Sequence, residues 1–260
     1  MANGQTLFEF IGWGNDDAGV ALAKALKNNT TIHSFQVNCD HANMGDTTGI
    51  ALAAALKQNR TLLSFKLVCS VHMGDKTGKA LADAVRETLN LRSFEFLSSI
   101  RMGDVTGEAL AAAVRDSATL QLLQLDCVGS NMGDATGEAL AAALRENTAL
   151  QCLQLSCNMT GMSHRTSVAL SGSLQENLAI KSLQIDLDMT MALRRIEEAL
   201  LRNRGLPTAW VAAAGVARYA ARHKKLGMPE ADFRRAIFTF FLPQAAAHRI
   251  ANRAQKSSMG

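Results

Sequence analysis

The sequence lacks the signatures that usually announce catalysis. It contains no GxxxxGK[ST], no HExxH and no GxSxG motif. Gly12-Trp13-Gly14 fails the dinucleotide pattern, because Asp17 stands where a third glycine is required. The six histidines have no recurrent acidic partner along the chain. These absences predict a protein that is not an enzyme, with no cofactor and no small-molecule substrate. No apolar run approaches the ~20 residues needed to cross a bilayer. Residues 1–12 offer neither a basic start nor a clean apolar stretch, so no secretory signal is expected. Proline is scarce at three, and aromatics make up only 5% of the chain. About half of those aromatics lie beyond residue 205 (Trp210, Tyr219, Phe233, Phe238, Phe240 and Phe241).

Cysteine is also present in the wrong form for a disulfide framework. The count of five is odd, and Cys39, Cys69, Cys127 and Cys157 recur at one position of successive segments. A small core residue repeated at one inward place explains them. Unpaired cysteines at this frequency point to a reducing, cytoplasmic compartment. At 260 residues, 48% hydrophobic and mean hydropathy +0.02, the chain is long enough for a sizeable core and fits a soluble protein. Its net charge of +4 conceals an asymmetry. Residues 1–190 hold 14 Lys+Arg against 19 Asp+Glu, whereas residues 191–260 hold 13 against 4.

What is there in abundance is repetition. Met132 to Cys157 reads MGDATGEALAAALRENTALQCLQLSC, and close variants begin at Met44, Met73, Met102 and Met162, 29 or 30 residues apart. A fixed period of this length marks a solenoid. Ala139, Leu140, Ala143 and Leu144 form a helical stripe, while Leu153, Leu155 and Cys157 alternate as in a strand. Neither half can bury its apolar side alone, so the units must stack into a parallel sheet with helices outside it. Asp134 is placed to cap its own helix, Asn147 to end it in a left-handed conformation, and Arg145 to face the negative end of the helix dipole.

The pattern LxxLxLxC/N followed by MGDxTGxALAxALRxN resembles the leucine-rich repeat of the ribonuclease-inhibitor type. Sensor ends of intracellular immune receptors and tropomodulin-like actin caps share it. The resemblance covers residues 6–205 and implies an α/β leucine-rich-repeat solenoid, a horseshoe arc with the sheet inside. It implies a platform for a protein partner, with no particular partner, since such folds serve very different ones. The nucleotide-binding module of the receptors and the tropomyosin-binding segment of the actin caps have no counterpart in this sequence.

Taken in order, strands are expected near residues 8–11, 34–39, 64–69, 93–98, 122–127, 152–157 and 182–187. Helices are expected near 17–28, 47–58, 76–87, 105–116, 135–146 and 165–176, with a seventh from Met191 to Asn203. The sixth helix is degenerate: Ser163, His164 and Arg165 replace the usual start, and Ser171-Gly172-Ser173 dilutes the alanines. Residues 1–205 are therefore expected to form a solenoid of about seven repeats. Residues 206–260 form a basic, aromatic-containing α-helical extension, interrupted near Gly227, Pro229 and Pro243.

Several ladders run through the repeats. The row Asp16, Asp46, Asp75, Asp104 and Asp134 reads as helix capping, since neighbouring helices ~10 Å apart hold carboxylates too far apart to act in pairs. Met44, Met73, Met102, Met132 and Met162 read as core. Lys27, Lys57, Arg86, Arg115 and Arg145 read as dipole partners, with a phosphate-tracking stripe as the competing reading. Cys39, His41, Cys69 and His72 could converge as zinc ligands on strands about 4.8 Å apart, against the plainer reading of the cysteines as core. The candidate partner-binding residues are the outward column Gln36, Lys66, Glu95, Gln124, Gln154 and Gln184, led by Glu9. Asn38, Asp126, Ser156 and Asp186 flank it, and Arg218, Arg222, Arg234 and Arg235 stand out in the basic tail. The expected function is a protein-interaction scaffold, adaptor or structural subunit of a larger complex, gripping partners by the concave face, the tail or both. Two alternatives stand beside it: RNA or membrane binding by the basic tail, and regulation of an enzyme or of actin ends.

Overall fold

The structure, a computed structural model, describes residues 6–11, 14–185, 196, 199–200 and 202–203. The chain divides into two compact units, Met1–Ile196 and Glu197–Gly260. In the first, strand and helix alternate throughout: β1 (Thr6–Ile11), α1 (Asp16–Asn28), β2 (Ile32–Asn38), α2 (Asp46–Gln58), β3 (Ser64–Val68), α3 (Asp75–Glu87), β4 (Ser93–Leu97), α4 (Asp104–Asp116), β5 (Leu122–Asp126), α5 (Asp134–Glu146), β6 (Cys152–Ser156), α6 (His164–Glu176) and β7 (Ser182–Ile185). The seven strands form one sheet in sequence order, every pair parallel. This is an α/β leucine-rich-repeat solenoid. The end of the seventh strand, most of the seventh helix and the helices after Gly205 lie outside the described residues.

The core lies between sheet and helices and is assembled by repetition. Phe35, Phe65 and Phe94 occupy one inward register position and are buried. Their rings stack at centroid distances of 6.0 and 6.1 Å, and Phe8 extends the row at 5.3 Å from Phe35. From β5 onward leucines (Leu123, Leu153) take over. The methionine ladder is buried as the periodicity implies, from Met44 to Met162. Each fully buried Leu or Phe contributes about 1.5–3 kcal/mol, so a short row repeated through the stack supplies the driving force no single repeat has.

The helices approach closely through a threonine–glycine pair. Thr166 is fully buried, and a Cβ placed on Gly137 of the preceding helix would stand 2.7 Å from the Thr166 Cβ. The same pairing joins Gly19 to Thr48, Gly49 to Thr77, Gly78 to Thr106 and Gly107 to Thr136. Glycine is required here by the neighbour's methyl and hydroxyl rather than by its own backbone angles.

Two capping expectations need correction. Each aspartate is the first residue of its helix, not its cap; the cap is Gly45, Gly74, Gly103 or Gly133, which has no side chain to bond with, except before Asp16, where the Asn15 side chain accepts from the Ala18 N–H. The carboxylate serves the next repeat instead. Asp46 Oδ1 accepts from the Gly74 N–H at 2.9 Å, the Thr77 N–H at 3.2 Å and the Thr77 hydroxyl at 2.7 Å. Asp16, Asp104 and Asp134 bond to Thr48, Thr136 and Thr166 in the same way. Asn147, for its part, is extended (φ −80°, ψ 130°), not left-handed. Its amide donates to the Val114 and Ser117 carbonyls, while its oxygen accepts from the Ala149 and Leu150 N–H groups. A helix that ended in a left-handed turn could not reach back one repeat in this way. Asn59 and Asn177 repeat the arrangement.

Candidate functional site

Alternation along a strand sends every second residue to the sheet face away from the helices. In-register parallel pairing then turns one residue per strand into a straight row. Glu9 pairs with Gln36, Gln36 with Lys66, Lys66 with Glu95, Glu95 with Gln124, Gln124 with Gln154 and Gln154 with Gln184. The structure thus brings the six column candidates together in the order their numbers imply. A parallel row beside it runs Ser34, Ser64, Ser93, Leu122, Cys152, Ser182. On the other side stand Asn38, Val68, Leu97, Asp126 and Ser156. Asp186, Arg218, Arg222, Arg234 and Arg235 lie outside the described residues.

The row has an internal structure that residue types alone do not reveal. Lys66 Nζ and Glu95 Oε2 form an ion pair at 3.0 Å, with both side chains partly buried. Only the register between strands places these neighbours opposite each other; by sequence they are separate contact points. Their pairing leaves the column without an uncompensated charge from Gln36 to Gln184. An amide ladder spaced by about 4.8 Å offers paired donors and acceptors, suited to hydrogen-bonding a partner's backbone or polar side chains. Val68 and Leu97, part-exposed beside it, add apolar contact that the sequence pattern does not single out.

The other ladders are absorbed by the fold. The basic row does not form a free cationic stripe. Lys57 pairs with Glu87 at 2.6 Å, Arg115 with Asp116 at 2.9 Å and Glu146 at 4.0 Å, and Arg145 with Glu176 at 3.7 Å. In the aspartate ladder, burial raises the pKa of Asp134, but hydrogen bonds from Ser163 and Thr166 outweigh it and hold the carboxyl at about 2. The same opposition leaves Asp16, Asp46 and Asp104 below the ordinary carboxylate range. These are structural acceptors, committed to backbone and hydroxyl donors.

The four zinc candidates are not brought together. Among the described residues no group of three or more His, Cys, Asp or Glu side chains stands together as metal ligands need to. Burial pushes the Cys39 thiol up to about 12 and Cys69 well above its usual value, as for cysteines packed into the core. Cys39, Cys69, Cys127 and Cys157 are free and buried, whereas Cys152 is only partly so. Among the described residues no helix is long and apolar enough to cross a membrane.

No family model and no curated protein matches the chain. It is similar to actin-binding site 2 of leiomodin-1, at 14% identity and a TM-score of 0.45, over 82% of this chain and 97% of that one. It is similar to the tropomodulin C-terminal domain of Caenorhabditis elegans, at 11% identity and a TM-score of 0.46, over 82% and 99%. A chain of the yeast Rad7–Elc1 complex aligns at 17% identity and a TM-score of 0.48, over 72% of this chain and 46% of that one.

Proposed function

We propose that the protein is a non-enzymatic, cytoplasmic interaction scaffold, an adaptor or structural subunit whose repeats hold a protein partner on the open sheet face. One observation carries this reading. A half-exposed row of polar side chains runs in register through every described strand, and the fold makes no evident use of it. Such a row costs side-chain ordering without adding to the core, as expected of a surface kept for recognition. In this reading residues 1–205 are the platform and residues 206–260 a second element.

The test is an affinity capture with the full chain, comparing the natural column with Gln124→Arg and Gln154→Arg. A bulky cation among the glutamines of the column should remove the column's partners while leaving the thermal midpoint unchanged. If the same proteins are captured by the variants, the column is not the binding face.

A second reading rests on the charge of the C-terminal segment, where 13 basic residues face 4 acidic ones over residues 191–260. It makes Arg218, Arg222, Arg234 and Arg235 contacts to RNA or to an anionic lipid surface. Such binding should weaken steeply as salt rises, and affinity unaffected by salt would remove this reading.

A further inference from the structure

Three kinds of side-chain bond tie a helix to the one before it, and they are not spread evenly along the stack. The carboxylate opening one helix accepts from the next, an asparagine closing a helix reaches back to carbonyls of its predecessor, and a base ending one helix meets an acid ending the next. Between α4 and α5 all three are present. Asp104 accepts from the Gly133 N–H and from the N–H and hydroxyl of Thr136, Asn147 reaches the Val114 and Ser117 carbonyls, and Arg115 reaches Glu146 at 4.0 Å. Between α5 and α6 the set recurs through Asp134, Asn177 and the Arg145–Glu176 pair.

The junction between α3 and α4 falls short on all three counts. Asp75 accepts from the Gly103 N–H at 2.9 Å and the Thr106 hydroxyl at 2.6 Å, but the Thr106 N–H turns to the Gly103 carbonyl of its own helix start. Ser117 stands in the asparagine's place, and its oxygen accepts locally from the Leu120 N–H at 3.2 Å. Arg86 and Asp116 hold the ion-pair positions, yet Arg86 bonds to Asp83 of its own helix at 2.8 Å and Asp116 to Arg115 at 2.9 Å. Thr119, in the loop after α4, keeps a buried hydroxyl with no hydrogen-bond partner among the described residues. The other junctions lose less. Thr88 turns its hydroxyl onto the Ala84 carbonyl instead of reaching back to α2, but there Asp46 keeps its three hydrogen bonds and Lys57 pairs with Glu87 at 2.6 Å. α1 and α2 keep both Asp16 and Asn59.

On the sheet side the same junction is intact. β3 and β4 pair over Ser64–Val68 and Ser93–Leu97, Phe65 and Phe94 stack at 6.1 Å, and Lys66 meets Glu95 at 3.0 Å. A joint held on one side and slack on the other opens as a hinge. We propose that the solenoid opens at this seam: α3 and α4 part about the β3–β4 pairing, and the repeats before and after it move as two blocks. The seam divides the polar column between Lys66 and Glu95, so its halves tilt against each other. Use of that tilt to fit a partner rests on the scaffold reading; the hinge itself does not.

Hydrogen–deuterium exchange of the full chain, read by mass spectrometry and corrected for intrinsic amide rates, tests the hinge on a timescale of minutes to hours. Matching segments are compared: residues 103–107 with 133–137 at the starts of α4 and α5, and residues 117–122 with 147–152 after their ends. Backbone bonding in the second comparison is alike, since Gln121 and Leu122 donate to the Arg92 carbonyl as Gln151 and Cys152 donate to that of Gln121. Both segments flanking α4 should exchange at least about tenfold faster than their counterparts. Ser117→Asn supplies the missing backward bonds and should slow residues 117–122 at least about fivefold. It should slow residues 103–107 by a similar factor, although it does not touch them, because one opening exposes both. Natural segments 103–107 and 117–122 that exchange as slowly as their α5 counterparts would overturn the proposal without any variant. So would a folded Ser117→Asn chain that slows neither segment, that protects 117–122 alone, which would mean a local loop bond, or that slows the α5 segments equally, which would mean a gain in global stability.

Discussion

Helices α5 and α6 are adjacent, equal in length and matched in register, yet they differ at the positions through which α5 meets its successor. α5 opens on Asp134, carries Gly137 against Thr166 and closes on Arg145. α6 opens on His164, has Ser167 where the glycine would stand, and has no basic residue in its last turn. The Ser167 hydroxyl is buried without a hydrogen-bond partner among the described residues. Ser171 and Ser173 turn their hydroxyls back onto the Val168 and Leu170 carbonyls of their own helix. What differs is everything a helix offers forward: the carboxylate for the next cap, the gap for the next threonine, the cation for the next acid. What is kept is what a helix receives from behind. The degeneracy of the sixth repeat is therefore directional, and each position in α5 can be assigned to the neighbour that requires it.

The sharpest check uses a feature the two repeats share. Asn147 and Asn177 make the same four side-chain hydrogen bonds at buried sites, two of them to the preceding repeat. Replacing either with alanine strands carbonyl and N–H groups away from water and should cost about 3 kcal/mol in urea unfolding. The two losses should agree, because both residues face backwards. A cost confined to Asn147 would break the directional reading.

Glycine then separates the repeats. Gly137→Ala drives a methyl into Thr166 and should cost about 2–3 kcal/mol by overpacking. At the matching place in α6, Ser167→Ala removes an unpartnered hydroxyl and should be neutral or stabilising by about 1 kcal/mol. Unfolding midpoints measured side by side decide it: equal destabilisation would mean that Ser167, too, is fixed by a specific neighbour.

The fold could be read from the repeat because leucine-rich stacking writes itself as period: the strand column from Gln36 to Gln184 followed from counting, and every pair in it is confirmed by register. Direction could not be counted. Asp134 looks the same whether it caps its own helix or the next, and only the 2.8 Å bond to the Ser163 N–H tells which. Asn147 likewise looks like a helix terminator until its amide is seen reaching two carbonyls one repeat back. Within the candidate site, alternation identified the outward residues but not their mutual compensation; the Lys66–Glu95 pair needed the register between strands. The left-handed backbone shared by Gly129 and Met159 is not legible in the sequence, because it falls in irregular loops and has no period of its own.

Acid separates the repeats more gently. Asp134 titrates at about 2 in the folded protein, against an ordinary value of 3.8. A carboxyl lowered by folding stabilises fully above its unfolded value, and that stabilisation is lost as the pH falls through 4 towards 2. Asp134→Asn keeps one acceptor oxygen and should cost about 1 kcal/mol at neutral pH. It should also flatten the stability profile between pH 4 and about 2. His164→Ala, at the matching position in α6, should leave that acid limb unchanged. An unaltered acid limb in Asp134→Asn would mean that other carboxylates carry the transition.

The smallest effect belongs to the outer face. Arg145 reaches Glu176 of α6 at 3.7 Å, and both side chains are largely exposed. An exposed pair of this kind is worth less than about 1 kcal/mol and is screened by salt. Glu176→Gln should therefore move the urea midpoint barely at all, and any change should vanish at about 1 M salt. What it should change is charge. The variant frees Arg145, as Glu87→Gln frees Lys57 and Glu146→Gln relaxes Arg115. If combining the three strengthens heparin or RNA binding over that of the natural chain, the acids of successive repeats are there to silence a cationic ladder. If polyanion binding is unchanged, helix-dipole compensation alone accounts for the basic residues.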